Sequence, residues 1–297
     1  MGTQIAGIFP ALLTPLKGDG SINYAAIEKL LDRVYGAGVD GVYVCGSTGE
    51  GVLLREEDRR AIVETVVRNS PAGKLVMVHV GAQTADVSER LARHAEQVQA
   101  SAVSCIRPSG VTYEGMLACY QRVALSTDLP FFAYYFPARA GETLDVDQLT
   151  RVCEIPGVSG LKYTDYDLYT MSLLVRAGYQ VFNGRDEVLA AGLLMGACGG
   201  IGSIYNLVPE LFVDLRRQAA TGKWCEAREI QDRINDLLRV LLRFPFLAAL
   251  KQVLTWEGIE CGGVVATGAG LTASRLTEAQ QAELRESIAA LGMFAAV

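Results

Sequence analysis

Alternation constrains this chain more than any other feature of its sequence. Short runs of β-branched and aromatic residues recur. Each is followed by a stretch whose apolar positions repeat at three and four, the spacing of a helix with one buried face. The runs are GIFPALLTP (7–15), GVYVCG (41–46), KLVMVHVG (74–81), SAVSCIR (101–107), PFFAYYFP (130–137), VSGLKYT (158–164), YQVFNG (179–184) and GGIGSI (199–204). Helical segments such as NYAAIEKLLDRVYGAG, REEDRRAIVETVVRNS, SERLARHAEQVQ and DLYTMSLLVRAG lie between them, with Gly36 and Gly178 at expected C-caps. Eight strand–helix units in about 220 residues predict an α/β fold, the (β/α)8 TIM barrel. An open doubly wound sheet is the alternative. It usually carries a glycine-rich phosphate turn after its first strand, and TPLKGDGS has no GxGxxG spacing.

After the eighth run the pattern turns helical, in KWCEAREIQDRINDLLRVLLR, FPFLAALKQVLTWEGI and LTEAQQAELRESIAALG. The expected organisation is a barrel over residues 1–222 and a C-terminal helical extension over 223–297, packed on the barrel as one structural domain. Charge narrows the function: 27 Lys+Arg against 33 Asp+Glu gives −6, which argues against nucleic acid or an anionic membrane surface as partner. Seven cysteines without a CxxC pair read as small buried hydrophobes in a reducing compartment. The first residues read as having no basic leader, and the apolar stretch from Phe244 to Leu254 is short and carries Lys251. The expected location is the cytoplasm, away from membranes.

In a barrel, reactive side chains come from the C-terminal ends of strands and the loops after them. Lys162, inside VSGLKYT, is the sharpest candidate, because a solvated ammonium is hard to arrange there. Burial favours the neutral amine, which attacks carbonyls. Lowering its pKa from about 10.4 to about 7 costs roughly 4–5 kcal/mol. The alternative is a lysine snorkelling to a carboxylate such as Asp165. Ser47 and Thr48, between two glycines, form a hydroxyl-rich turn suited to a carboxylate, or an ordinary loop. Of Tyr134 and Tyr135, one faces the barrel interior, as a proton shuttle or as core filling. Asp186 and Glu187 either bind substrate hydroxyls or start a helix. The two histidines, His79 and His94, lie far apart, His94 on a helix and neither with a cysteine or acid at ligand spacing, so no metal is expected and carbonyl chemistry would run through an imine.

Taken together, GSTGEG, YYFPARAG, GLKYTDYDLY and FNGRDEVLAAGLLMGACGGIGS resemble the N-acetylneuraminate lyase and dihydrodipicolinate synthase family of pyruvate-handling class I aldolases. The resemblance covers nearly the whole chain and is closest to the lyases. It implies that Lys162 forms a Schiff base with a 2-keto acid, that Tyr134 relays a proton to or from the aldol oxygen, and that Ser47 and Thr48 hold the carboxylate. Thr48 also lies near the tyrosine relay. Thr164, Gly184, Asp186, Glu187 and Ser203 match positions that hydrogen-bond a sugar's polyol tail. The resemblance further implies small-molecule substrates (pyruvate and an aldehyde, or a 2-keto sugar acid), no cofactor, no metal and a homotetramer.

Two departures complicate the substrate. Arg139 stands where lyases carry an apolar residue and the synthases an arginine for an acidic aldehyde. Arg107-Pro108 replaces the synthases' tyrosine pair. The expected activity is reversible cleavage of a 2-keto sugar acid such as N-acetylneuraminate. A synthase-like condensation, a 2-keto-3-deoxy acid aldolase or dehydratase, and a non-catalytic pyruvate-binding regulator are the alternatives.

Overall fold

The computed structural model describes residues 5–265 and 275–294. The chain begins β1 (Gly7–Pro10), α1 (Tyr24–Gly36), β2 (Gly41–Val44), α2 (Glu56–Asn69), β3 (Leu75–His79), α3 (Ala85–Gln97), β4 (Ala102–Ile106) and α4 (Tyr113–Ala124). It continues β5 (Phe131–Tyr135), the four-residue α5 (Pro137–Ala140), α6 (Val146–Cys153), β6 (Val158–Tyr163) and α7 (Leu168–Arg176). Then come β7 (Gln180–Asn183), α8 (Leu189–Leu194), β8 (Gly199–Gly202) and α9 (Pro209–Ala220). Three helices follow: α10 (Trp224–Leu241), α11 (Phe246–Trp256) and α12 (Glu278–Ala289).

Every strand pairs in parallel, in the order β1-β8-β7-β6-β5-β4-β3-β2. The ends of that order meet: Asp40 N–H donates to Ile8 O (3.1 Å) and Leu12 N–H to Tyr43 O (2.9 Å), beside an Ala11–Tyr43 bridge. The sheet thereby closes into the expected (β/α)8 barrel. Strands buried on both faces explain the nearly continuous apolar runs. One set of side chains (Phe9, Tyr43, Met77, Phe132, Phe182, Ile201) fills the interior, where Phe182 meets Phe9 and Phe132 edge to face at 5.3 and 5.6 Å. The other set packs outward under the helices.

One cap falls later than the sequence suggests. Gly36 ends α1 in helical register, and Gly38, at φ +90°, takes the left-handed position, its N–H bonded to Tyr35 O (2.9 Å). Gly178, at φ +93°, stands just past α7 as expected. Beyond α9, α10 lies against α8 and α9 and in turn carries α11 and α12. Among the described residues no helix is long and apolar enough to cross a membrane.

Candidate active site

Neighbouring strands bring two of the singled-out side chains together. Tyr134 on β5 pairs in register with Lys162 on β6, and period-two alternation turns both into the barrel. Lys162 Nζ lies 4.0 Å from the Tyr43 ring centroid and 4.2 Å from that of Tyr134, with the residue only 4% exposed. Burial pulls its pKa down, against the opposing pull of Tyr134 and Asp186. Among the described residues no carboxylate forms an ion pair with it, and the candidate snorkelling partner, Asp165, instead accepts from Tyr166 N–H (2.7 Å). Tyr135 points outward, its hydroxyl accepting from Leu144 N–H at 3.1 Å.

Two further interior rings, to which the sequence reading gave no place in the site, stand beside this pair. Tyr43 donates to Ser104 Oγ (3.2 Å), and burial pushes its phenol well up. His79 packs edge-on against Tyr134 at 6.0 Å. Its Nε2 accepts from Ile106 N–H (3.2 Å), which can only donate, so Nδ1 carries the proton and donates to Cys45 O (3.1 Å). Burial and then the Arg59 charge push the imidazole well below its ordinary pKa, so it is a neutral prop beside Tyr134.

The Gly46–Gly51 turn after β2 is held between two left-handed non-glycine residues, Cys45 (φ +58°) and Glu50 (φ +56°). Gly51 N–H closes it onto Gly46 O (3.0 Å), and Thr14 Oγ1 donates to Gly49 O (2.6 Å). Thr48 and Ser203 share a hydroxyl–hydroxyl bond of 2.7 Å, which joins this turn to the end of β8. The Glu50 carboxylate is buried against Lys251 of α11 (2.7 Å), whose Nζ also donates to Gly263 O (2.6 Å).

Asp186 and Glu187 open a 3-10 turn that runs into α8, so they begin a helix and also face the cleft. Asp186 Oδ2 accepts from Ser203 N–H (3.0 Å) and Ile204 N–H (2.9 Å). Burial outweighs these bonds and pushes its carboxyl up to about 7. Thr164 Oγ1 is buried without a partner. It sits where a Cβ on Gly184 would lie, 2.0 Å away, so only glycine leaves it room. An unpartnered buried hydroxyl costs free energy unless a ligand completes it.

Ser47, Thr48, Tyr134, Lys162, Thr164, Gly184, Asp186, Glu187 and Ser203 all line one cleft of about 430 Å³ at the C-terminal end of the barrel, the size of a small-molecule site. Arg139 does not: it is exposed on α5. Arg107 is tied to Val111 O and Glu142. The cleft adds residues that sequence reasoning missed, namely Phe136, Tyr166 and Arg185 on the loops and Leu238, Leu242, Phe246 and Leu247 from the helical extension. Arg185 lies within a motif already singled out. The apolar face of α10 showed that it was buried, but no local signal showed against what. Among the described residues no group of three or more His, Cys, Asp or Glu comes together to hold a metal ion.

The model of the dihydrodipicolinate synthetase family matches residues 4–289. An N-acetylneuraminate lyase of Rhizobium meliloti (strain 1021) is 35% identical over 292 residues, 96% of this chain and 95% of that protein. A sialic acid aldolase of Ruminococcus gnavus superposes with a TM-score of 0.89 at 28% identity, covering 97% of each chain. A dihydrodipicolinate synthase structure does so with a TM-score of 0.89 at 26% identity, covering 98% of this chain and 100% of that one. A family match over nearly the full length, on a barrel whose cleft holds a buried lysine and tyrosine, settles the affiliation: the chain belongs to the dihydrodipicolinate synthetase family.

Proposed function

We propose that this protein is a Schiff-base aldolase of the N-acetylneuraminate lyase kind, cleaving a 2-keto sugar acid reversibly to pyruvate and an aldehyde. The observation that carries this reading is Lys162: a buried amine at the cleft floor, biased towards its neutral form, with no carboxylate ion pair among the described residues and a phenol in register beside it. The hydroxyls of Ser47 and Thr48 receive the substrate carboxylate. The Lys162 amine adds to the C2 ketone, and loss of water gives an iminium that acts as an electron sink. Tyr134 takes the C4 hydroxyl proton as the C3–C4 bond breaks, which releases the aldehyde and leaves an enamine. Protonation at C3 and hydrolysis return pyruvate and the free amine. Thr164, Asp186, Glu187 and Ser203 bind the tail hydroxyls. No cofactor or metal is required by these steps. The expected setting is a cytoplasmic homotetramer. A synthase-like condensation is less supported, because Arg139, on which it rests, is exposed outside the cleft.

Borohydride reduction in the presence of pyruvate, followed by peptide mass spectrometry, tests the reading. A single adduct on Lys162, absent from Lys162→Ala, is the expected result, together with pyruvate release from N-acetylneuraminate or a related 2-keto sugar acid. An adduct on another residue, or turnover retained by Lys162→Ala, sinks the imine mechanism. An adduct without cleavage of any such acid would leave a pyruvate-binding protein.

A further inference from the structure

Arg185 stands in the cleft wall beside two aromatic rings, and among the described residues none of its guanidinium N–H groups is hydrogen-bonded to the protein. Its guanidinium carbon lies 4.3 Å from the Tyr166 ring centroid and 5.4 Å from that of Phe136, so two aromatic rings orient it. Its Nε is buried without a partner, and among the described residues no N–H of this guanidinium donates a hydrogen bond to the protein. The nearest carboxylate, Glu187, comes only to 3.8 Å of Nη1 and already accepts from the Tyr166 hydroxyl. Glu187 thus holds the arginine by charge without occupying its donors.

Arg59, almost fully buried, also leaves its Nε without a partner, but its terminal nitrogens are used. Arg59 donates through Nη1 to Gly81 O (3.0 Å) and through Nη2 to His79 O (2.6 Å), tying loops together. Among the described residues Arg185 donates no such bond. A guanidinium packed beside aromatics and partly desolvated, with Nη1 and Nη2 not hydrogen-bonded to the described protein, can receive a planar oxyanion in two hydrogen bonds. Its place is informative as well. The Ser47–Thr48 turn follows β2 and is joined to the end of β8. Arg185 stacks on residues that follow β5 and β6, away from that turn.

We propose that Arg185 is a specificity residue that binds a second anionic group, a carboxylate at the end of the sugar acid remote from the ketone. The aldehyde released would then itself be an acid. This rests on the aldolase reading above and narrows its substrate class.

The test is aldol synthesis from pyruvate with D-mannose and D-mannuronate, which differ only in the last carbon. The wild-type protein should favour mannuronate in kcat/KM. Arg185→Met should lower the mannuronate-to-mannose ratio by about 10- to 100-fold, the worth of a charge-assisted pair. Arg185→Lys should restore part of the ratio, and added salt should erode it in the wild type. A ratio unchanged to within about twofold in Arg185→Met, or a wild-type preference for mannose, overturns the proposal. Pyruvate trapping on Lys162, run alongside, reads the aldolase reading separately: trapping with an unchanged ratio refutes only the role of Arg185. Should trapping fail, calorimetric binding of mannuronate against mannose, with wild type and Arg185→Met, decides between the same two outcomes.

Discussion

Asp186 holds a carboxyl that the fold disfavours in its charged form, since burial pushes it up to about 7 despite two backbone N–H donors. The consequence for stability has a definite sign. Below pH about 4 the group is protonated in folded and unfolded chains alike, and nothing is lost. Between about 4 and 7 the unfolded chain ionises first, so the folded state loses ground, and above about 7 the penalty is complete. Asp186→Asn keeps an acceptor for Ser203 and Ile204 without the charge. Its unfolding free energy should exceed that of the wild type by a few kcal/mol at pH 8, with the gain vanishing towards pH 4. Denaturant titrations across that range check it, and a gain independent of pH would contradict the assignment. At this scale the sequence was legible where a residue broke its surroundings. Lys162 interrupts an apolar strand, and that alone singled it out. Periodicity alone did not separate Tyr134 from Tyr135, because a period of two gives alternation without its phase, and the choice of Tyr134 rested on the YYFPARAG resemblance.

The turn between β7 and α8 does not hold its shape alone. Gln231 of α10 accepts from Ala190 N–H (2.9 Å) and donates to Asp186 O (3.0 Å), while Asn235, one turn on, donates to Glu187 O (3.2 Å). The helical extension therefore fixes the acidic pair, and its Leu238 and Leu242 continue the same face into the cleft wall. Gln231→Leu leaves buried backbone groups unpaired, at about 1–3 kcal/mol. It should raise the KM for the sugar acid by about tenfold, because a small displacement of positioning groups is costly. Pyruvate trapping on Lys162 should stay within about twofold, since that chemistry lies on β6. Steady-state kinetics set against trapping rates separate the two, and an equal loss in both would deny the helix its local role. Helix α10 was legible as an amphipathic element, yet its Gln231 and Asn235 read only as polar residues. Their partners lie more than 40 residues away in the chain.

Across the whole molecule, the Glu50–Lys251 pair ties the turn after β2 to α11 over 201 residues of chain, with both side chains almost fully buried. Burial pulls the lysine pKa down, and Glu50 offsets this. Lys251→Met strands a buried carboxylate and should cost about 3–5 kcal/mol, with weaker pyruvate binding as the Ser47–Thr48 turn shifts. The double variant Glu50→Gln, Lys251→Met should recover much of that stability, because no buried charge is left unpaired. Chemical denaturation of the single and double variants checks this, and a double variant no more stable than the single would refute it. The sequence by itself determined the eight-fold alternation, the helical tail and the strand ends where the reactive side chains stand, because backbone periodicity and apolar burial act within a few residues. Tertiary structure alone decided that Arg139 stays outside the cleft while Arg185 lines it, and that the tail supplies a wall, and it supplied the phase that turns Tyr134, the tyrosine the family motif pointed to, towards Lys162. Those outcomes depend on barrel closure and on which distant surfaces pack together, and no local spacing carries that information.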